Sequence, residues 1–148
     1  MSDGTPGLRT FIHGIPHNRA LGMRAISLGR GVAVMEVPYD LKLVGNPDTG
    51  VLHGGVITAL LDACSGAAVF SSLTSWAPIA TLDLRIDYLR AAEPNRTVVC
   101  RATCYKVTRS VAFTRAVAYH DDEANPIASS AGTFMLGTKP GTQPKAQP

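Results

Sequence analysis

The residues best suited to chemistry stand at the head of the longest apolar segment, where His53 is followed by Gly54 and Gly55. If this segment is a helix, its first amides have no partner within it and point outward as hydrogen-bond donors. With the positive end of the helix dipole behind it, an uncrowded glycine amide can hold the oxygen of a polarised carbonyl, as an oxyanion hole does. The two glycines could instead serve only a tight turn or close packing.

Asp62 lies in the middle of the same segment, within ALLDACSGA, among residues that favour burial. A buried carboxylate is unfavourable unless it is bonded or used. Asp62 follows Gly54 by eight residues, which is about 12 Å at 1.5 Å per residue and too far for both to act on one carbonyl from a single helix. If both act on one substrate, they come from two helices of a symmetric dimer. The alternative is a structural acid paired with an arginine or with backbone amides.

Two further side chains near these positions could take part. His53 could act as an acid or base, or it could simply cap the helix that follows it. Thr81 begins a later β-prone run and could orient a water molecule, although threonine on a strand is often only a β-former. On sequence alone, both alternatives stay open for each residue.

The elements that must position these residues follow from the hydrophobic pattern. Residues 53–73 have apolar positions on all sides and predict a helix that is buried all round. The segment Phe11–Leu21 could hold a short helix interrupted at Pro16. In Thr81–Leu89, alternation places Leu82 on the apolar face and Thr81 on the opposite one. The β-prone runs are Met23–Leu28, Val32–Val37, Thr81–Leu89, Thr97–Val107, Val111–Tyr119 and Ile127–Leu136. This order, two strands, a helix and four strands, predicts an α+β fold with an antiparallel sheet wrapped around a long central helix.

Length and composition fit one domain. The 148 residues predict a folded domain over residues 11–137, with flexible ends at residues 1–10 and 138–148. The net charge of +3 is small and scattered, so no nucleic-acid partner is expected. The apolar stretch Val56–Leu73 is interrupted by Asp62, so no membrane span is expected. The opening residues do not resemble an export signal.

The cysteines indicate a reducing compartment. Cys64, Cys100 and Cys104 form an odd set without metal-ligand spacing. We therefore expect free thiols, a cytoplasmic location and no bound metal.

The stretch NPDTGVLHGGVITALLDACSGAAV, followed by ATLDLRIDYLRAA, resembles the hotdog-fold acyl-CoA thioesterases of the phenylacetic-acid-degradation (PaaI-like) group. That group is related to thioesterases of the 4-hydroxybenzoyl-CoA type. The likeness runs from about Leu21 to Leu136. The resemblance implies a hotdog fold, an antiparallel sheet around a long helix, in a homodimer that often pairs again into a tetramer.

The resemblance also implies roles for the residues at the helix start. The Gly54 amide would polarise the thioester carbonyl, and Asp62 of the partner subunit would serve as general base or nucleophile. Thr81 would position the water or the acid, while His53, Gly55 and Asn46 would contact the substrate. The loop before the helix is one residue longer than the commoner NPxGxxHGG form, so Asp48 or Thr49 could replace Asn46.

The substrate implied by the resemblance is a medium-chain or aryl acyl-CoA, hydrolysed to free acid and CoA. Basic and hydroxyl residues would bind the CoA phosphates, and Arg90, Lys106, Arg109 and Ser110 match these positions. No cofactor is expected, because CoA arrives as part of the substrate.

Two rival functions stay open at this stage. A hotdog domain could hold acyl-CoA without cleaving it, which predicts stabilisation by ligand without turnover. A hydratase acting on the acyl chain would use a His and acid pair at the helix start. Here the acid lies mid-helix, which does not favour that interpretation.

Overall fold

The structure, a computed structural model, describes residues 6–137. Its main layers are a six-stranded sheet and one long helix, α3, which begins at Gly54 and ends at Ser72. Two short helices precede the first strand: α1 (Pro6–Gly14) and α2 (Pro16–Ala20). The sheet strands are β1 (Arg24–Gly29), β2 (Val32–Val37), β5 (Ile79–Tyr88), β6 (Val98–Val107), β7 (Val111–Tyr119) and β8 (Ala128–Leu136). A 3-10 turn (Leu41–Leu43) and a small hairpin, β3 (Val44–Asn46) with β4 (Val51–Leu52), lead into α3. The predicted order of two strands, a helix and four strands is confirmed.

The sheet is antiparallel throughout, with the order β1-β2-β6-β7-β8-β5. It curls around α3, which packs on the inner faces of β2, β6 and β7. The close approach is possible because that face of β7 carries small residues, and Ala112, Thr114 and Ala118 are fully buried. The α+β hotdog architecture expected from the sequence is confirmed. Strands β1 and β5 form the two edges of the sheet.

The prediction that α3 is buried all round is only half right. Leu60, Leu61 and Cys64 face the sheet and are fully buried. The face that carries Thr58 and Asp62 is only partly buried and opens into a cleft. By length and composition α3 is the one helix among residues 6–137 that could cross a membrane, with a mean hydropathy of 1.4. Its packing against the sheet accounts for that apolar character.

The chain is ordered from earlier than predicted. Residues 6–10, expected to be loose, form the first part of α1. Arg9 anchors this helix, because its guanidinium donates to the carbonyls of Ala25 at 2.8 Å and Ile26 at 2.9 Å on β1. Pro16 opens α2, as expected of proline in a first helical turn. The predicted flexible segments at residues 1–5 and 138–148 lie outside the described residues.

The regular alternation predicted for the strand that begins at Thr81 is wrong at its first residues. The β5–β8 pairing shifts between Thr81 and Asp83, so Leu82 is the extra residue of a β-bulge. Leu82 is 52% exposed, and Thr81 pairs with Phe134, which is buried on the inner face. The bulge therefore turns Thr81 towards α3, on the same face as Leu84.

Candidate active site

The bulge brings the two predicted reactive side chains of one chain together. Thr81 Oγ1 donates a 2.8 Å hydrogen bond to Asp62 Oδ1. Within residues 6–137, the other carboxylate oxygen of Asp62 has no hydrogen-bond partner. No arginine or backbone amide of these residues pairs with Asp62, so the structural-acid alternative finds no support there. One oxygen is thus held in place and the other can accept a proton.

The start of α3 leaves one amide available. His53 caps the helix, and its Nδ1 accepts a 2.8 Å hydrogen bond from the Gly55 amide. That bond requires an unprotonated Nδ1, and it leaves Gly55 unavailable as an oxyanion donor. The Gly54 amide donates to no group in the described part of the chain. Of the two glycines singled out in the sequence, only Gly54 presents a free N–H.

Two hydroxyl groups that sequence reasoning missed hold the first peptide of α3. Tyr88 on β5 donates a 2.9 Å hydrogen bond to the Gly54 carbonyl, and Thr58 Oγ1 reaches the same oxygen at 3.2 Å. The two hydroxyls also contact each other. With Gly55 N–H bonded to His53, both ends of the Gly54–Gly55 peptide are fixed. Thr58 could have been found from the sequence, because it follows Gly54 by four residues along one helix. Nothing in the sequence indicated Tyr88.

A cleft of about 700 Å³ lies between α3, β5 and the two N-terminal helices, and Asp62 and Thr81 are in its wall. Apolar side chains make up most of its lining: Phe11, Ile12, Ile15, Ala59, Ala63, Ala67, Phe70, Ile79, Leu84 and Phe134. Two polar residues of α2 also line it. Asn18, only 5% exposed, donates to the Ile12 carbonyl at 3.0 Å, and His17 lies at the exposed rim. Sequence analysis did not identify either residue.

Asn46 lies in the β3–β4 hairpin and is not part of the cleft wall. Its side chain accepts from the Asp48 amide at 3.0 Å, and its carbonyl accepts from the Gly50 amide at 2.8 Å. The longer loop is therefore closed by a turn that uses Asn46. Asp48 and Thr49, the alternatives to Asn46, are exposed in the same turn. A glycine is required at position 45, because a Cβ there would lie 2.7 Å from the His53 Cα.

Comparisons with known proteins agree with this geometry. The family model described as the Thioesterase superfamily matches residues 49–127, more than half of the chain. The medium/long-chain acyl-CoA thioesterase YigI of Escherichia coli (strain K12) is 34% identical over 140 residues, which cover 86% of this chain and 89% of YigI. The chain belongs to the thioesterase superfamily.

Solved structures show the same fold for this thioesterase. The crystal structure of a Pseudomonas aeruginosa protein is 41% identical, with a TM-score of 0.79, over 86% of this chain and 95% of that one. A mutant of the phenylacetic acid degradation protein PaaI from Thermus thermophilus is 26% identical, with a TM-score of 0.71, over 81% of this chain and 96% of that one. The predicted resemblance to PaaI-like hotdog thioesterases is confirmed.

The residues predicted to bind CoA fall into two groups. Arg90 lies beside the start of α3, in the wall of a small cavity of about 300 Å³ that also includes Gly54 and Tyr88. Its guanidinium donates to the Asn125 carbonyl at 2.9 Å and lies 3.8 Å from Glu93. The Arg90 Nε atom is buried and has no partner among the described residues.

Lys106, Arg109 and Ser110 lie at the β6–β7 hairpin, near the other end of α3. The Ser110 carbonyl accepts a 2.9 Å hydrogen bond from the Leu136 amide at the end of β8. That end of β8 pairs with the start of β5, so the hairpin lies near the start of β5. Within one chain the structure therefore does not bring these residues close to Arg90.

No group of three or more His, Cys, Asp or Glu side chains among residues 6–137 is arranged to hold a metal ion. Cys64, Cys100 and Cys104 are free thiols. Cys64 Sγ donates to the carbonyls of Ala33 and Cys100, each at 3.4 Å. Burial raises the pKa of the Cys100 thiol well above its usual value, so this group stays protonated.

Proposed function

We propose that this thioesterase hydrolyses thioesters of CoA with medium- and long-chain fatty acids, releasing the free acid and CoA. The observation that carries the proposal is the Asp62 carboxylate, held by Thr81 at 2.8 Å in the wall of a largely apolar cleft. Such a carboxylate can accept a proton from water beside a bound acyl chain. The similarity to YigI, whose name specifies medium- and long-chain acyl-CoA, supports the substrate class.

The proposed reaction uses two groups, the Gly54 amide and the Asp62 carboxylate. The thioester carbonyl oxygen accepts a hydrogen bond from the Gly54 amide, at the positive end of the α3 dipole. Asp62 removes a proton from water as the water oxygen attacks the carbonyl carbon. The tetrahedral oxyanion then collapses, the carbon–sulfur bond breaks, and the CoA thiolate leaves with the proton that Asp62 returns.

The site requires two subunits. Gly54 and Asp62 lie on one helix, eight residues apart, which is about 12 Å along its axis. Gly54 of one chain therefore acts with Asp62 of the partner subunit, and two equal sites result from the two-fold symmetry. Association of two such dimers into a tetramer stays a prediction.

Strand β5 is the edge through which we propose that the dimer forms. It has ten residues, pairs with β8 alone among residues 6–137, and has large apolar side chains near both ends. Leu82, Tyr88 and the adjoining Leu89 are each more than half exposed in the single chain. A long, apolar, unpaired edge favours addition of another strand. Antiparallel pairing of β5 with its copy would join the two sheets and align the two α3 helices antiparallel.

The same pairing accounts for the two groups of candidate CoA ligands. In one chain, Arg90 follows the end of β5, whereas the hairpin with Lys106 and Arg109 lies level with its start. Antiparallel β5 strands place the start of one beside the end of the other. Arg90 of one subunit and the hairpin of its partner then lie at the same end of the joined sheet. We propose that these cations bind the CoA phosphates there.

We also propose a cytoplasmic location. The support is the state of the cysteines, since Cys64, Cys100 and Cys104 are all free and two of them are buried. Proteins that keep several unpaired thiols are typical of reducing compartments.

The function is tested by loss of thioester absorbance with CoA esters of six to sixteen carbons and with phenylacetyl-CoA. We expect turnover of the fatty esters by the wild type. We expect Asp62→Asn to lower kcat about 10²- to 10⁴-fold, because it removes the base. Asp83→Asn is the matched control, since Asp83 is exposed on the outer face of the same strand as Thr81.

Two outcomes would contradict the proposal. Full activity of Asp62→Asn would show that Asp62 is not the base. Absence of turnover with every ester, together with thermal stabilisation by one of them, would indicate a domain that binds acyl-CoA without cleaving it.

A further inference from the structure

A second pocket adjoins the active-site cleft. It has a volume of about 450 Å³ and lies between α1 and the segment that follows α3. We call it the distal pocket. Its lining residues include Leu8, Leu73, Thr74, Ser75 and Trp76, and none of the residues that line it is charged. Trp76 is 69% exposed at its edge.

Two phenylalanine rings separate the distal pocket from the cleft. Phe11 on α1 and Phe70 on α3 line both spaces. Their ring centroids are 5.5 Å apart and their planes meet at 77°, an edge-to-face contact. Phe70 is half-buried on the central helix, whereas Phe11 is 43% exposed. Phe11 therefore has the greater freedom to turn aside.

The distance from the reacting centre to this pair corresponds to a definite chain length. Phe70 follows Asp62 by eight residues on α3, which is about 12 Å along the helix. An extended chain advances about 1.2 Å per bond, since a residue of three backbone bonds spans about 3.5 Å. An acyl chain of about ten carbons thus ends at the rings, and a longer one has to pass them.

We propose that the Phe11–Phe70 pair is the floor of the acyl site and that the distal pocket receives the terminal carbons of longer acyl chains when Phe11 turns aside. This inference rests on the proposed function and adds the residues that set chain-length preference. The occupant follows from continuity with the cleft, because the pocket begins where the apolar wall that holds the acyl chain ends. An uncharged lining matches a hydrocarbon terminus.

The test compares kcat/KM across saturated acyl-CoA esters of six to sixteen carbons, below their micelle concentrations. Phe11→Ala removes the floor, and we expect about a tenfold gain for fourteen and sixteen carbons with little change at eight, because each methylene placed in an apolar site adds discrimination of that order. Ser75→Phe fills the distal pocket and should lower activity about tenfold for the same long esters only. Leu41→Ala is the control, since Leu41 is a large apolar side chain, 79% exposed, that lines neither the cleft nor the distal pocket.

A binding measurement separates this inference from the proposed function. Thermal stabilisation of Asp62→Asn by the same esters should show the same chain-length changes when Phe11→Ala or Ser75→Phe is added. If the wild type turns over no ester but these binding changes appear, the proposed hydrolysis fails and the pocket assignment holds. If Phe11→Ala and Ser75→Phe change all chain lengths by one factor, or change none, the inference is overturned.

Discussion

At the scale of single residues, the site depends on one backbone amide and one carboxylate. The amide of Gly54 has no acceptor among residues 6–137, whereas the amide of Gly55 donates to His53, and the carbonyl of Gly54 is held by Tyr88 and Thr58. A donor that is fixed before the substrate arrives needs no reorganisation as the oxyanion forms. The rigidity of the helix start is therefore part of the proposed mechanism.

Proline at position 54 would remove this donor while preserving the helix. Proline is favoured at the first position of a helix, where the N–H has no partner within the helix. His53, with φ −58° and ψ 133°, already has the conformation that a residue before proline prefers. We expect Gly54→Pro to lower kcat about 10²- to 10³-fold, the usual effect of losing one oxyanion donor, and to leave the melting temperature little changed.

The matched control is Gly54→Ala, which keeps the N–H. A Cβ at this position would meet the Tyr88 ring at 3.7 Å, an ordinary contact, so we expect activity close to that of the wild type. Equal loss of activity in the alanine and proline variants would point to a steric effect and contradict the amide's role.

The reactivity of the cysteine thiols follows from their burial. Cys64 and Cys100 are fully buried and therefore inaccessible, and burial raises the pKa of the Cys100 thiol, so that thiol stays protonated. Only Cys104 is partly exposed. We expect a thiol reagent to titrate one cysteine in the native protein at pH 8 and all of them after denaturation. Rapid reaction of more than one thiol in the folded protein would contradict this packing.

Sequence reasoning selected Asp62 and Gly54 because each is unusual in its local setting, and Thr81 because the family resemblance implied a hydroxyl there. It missed Tyr88 because that residue is separated from Gly54 by 34 positions and meets it only in the folded chain. Contact of Asn46 with the substrate stays a prediction, since within one chain its side chain accepts a hydrogen bond from the Asp48 amide of the same turn. Local patterns reveal unusual residues, but not contacts between distant elements.

At the scale of elements, the bulge in β5 connects sheet geometry to chemistry. The extra residue at Leu82 places the Thr81 side chain on the opposite face of the sheet from the one it would have in a regular strand. The Thr81 hydroxyl therefore lies on the inner face, where it bonds to Asp62. Bulges often occur beside active sites, where they redirect a side chain. Hydrophobic alternation cannot reveal one, because the extra residue here is itself apolar.

The hydrogen bond between Thr81 and Asp62 predicts the effect of replacing Thr81. Thr81→Val keeps the shape and β-propensity but removes the bond to Asp62. A hydrogen bond to a charged group contributes about 1.5–3 kcal/mol, so we expect kcat to fall about tenfold or more. Thr81→Ser, which keeps the hydroxyl, should retain most activity. Unchanged kinetics in the valine variant would mean that Thr81 faces away from Asp62.

The main elements were predictable to within a few residues, because the helix and each strand carry strong apolar patterns. The start of the first helix was not, since residues 6–10 include a proline and a glycine and only one large apolar side chain, Leu8. Its stability comes from contacts made far along the chain, such as those of Arg9 with β1. Tertiary contacts thus override weak local preference.

At the scale of the whole molecule, the account requires two chains. The unpaired edge of β5 and the length of α3 between Gly54 and Asp62 both favour an antiparallel pair. No pattern within a single sequence specifies the register of that pair, because the contacts that set it lie on two copies of the same edge. Oligomeric state is therefore the part of the proposal that experiment must supply.

The most direct test is subunit mixing. Gly54→Pro and Asp62→Asn chains are each inactive as homodimers, but a mixed dimer has one site with both a wild-type Gly54 and a wild-type Asp62. After complete exchange, half of the dimers are mixed and each has one complete site of two, so we expect about a quarter of wild-type activity. Tagged chains purified for mixed dimers by two-step affinity would verify the exchange. Recovery at that level would confirm a site shared between chains, whereas verified mixed dimers without activity would contradict it.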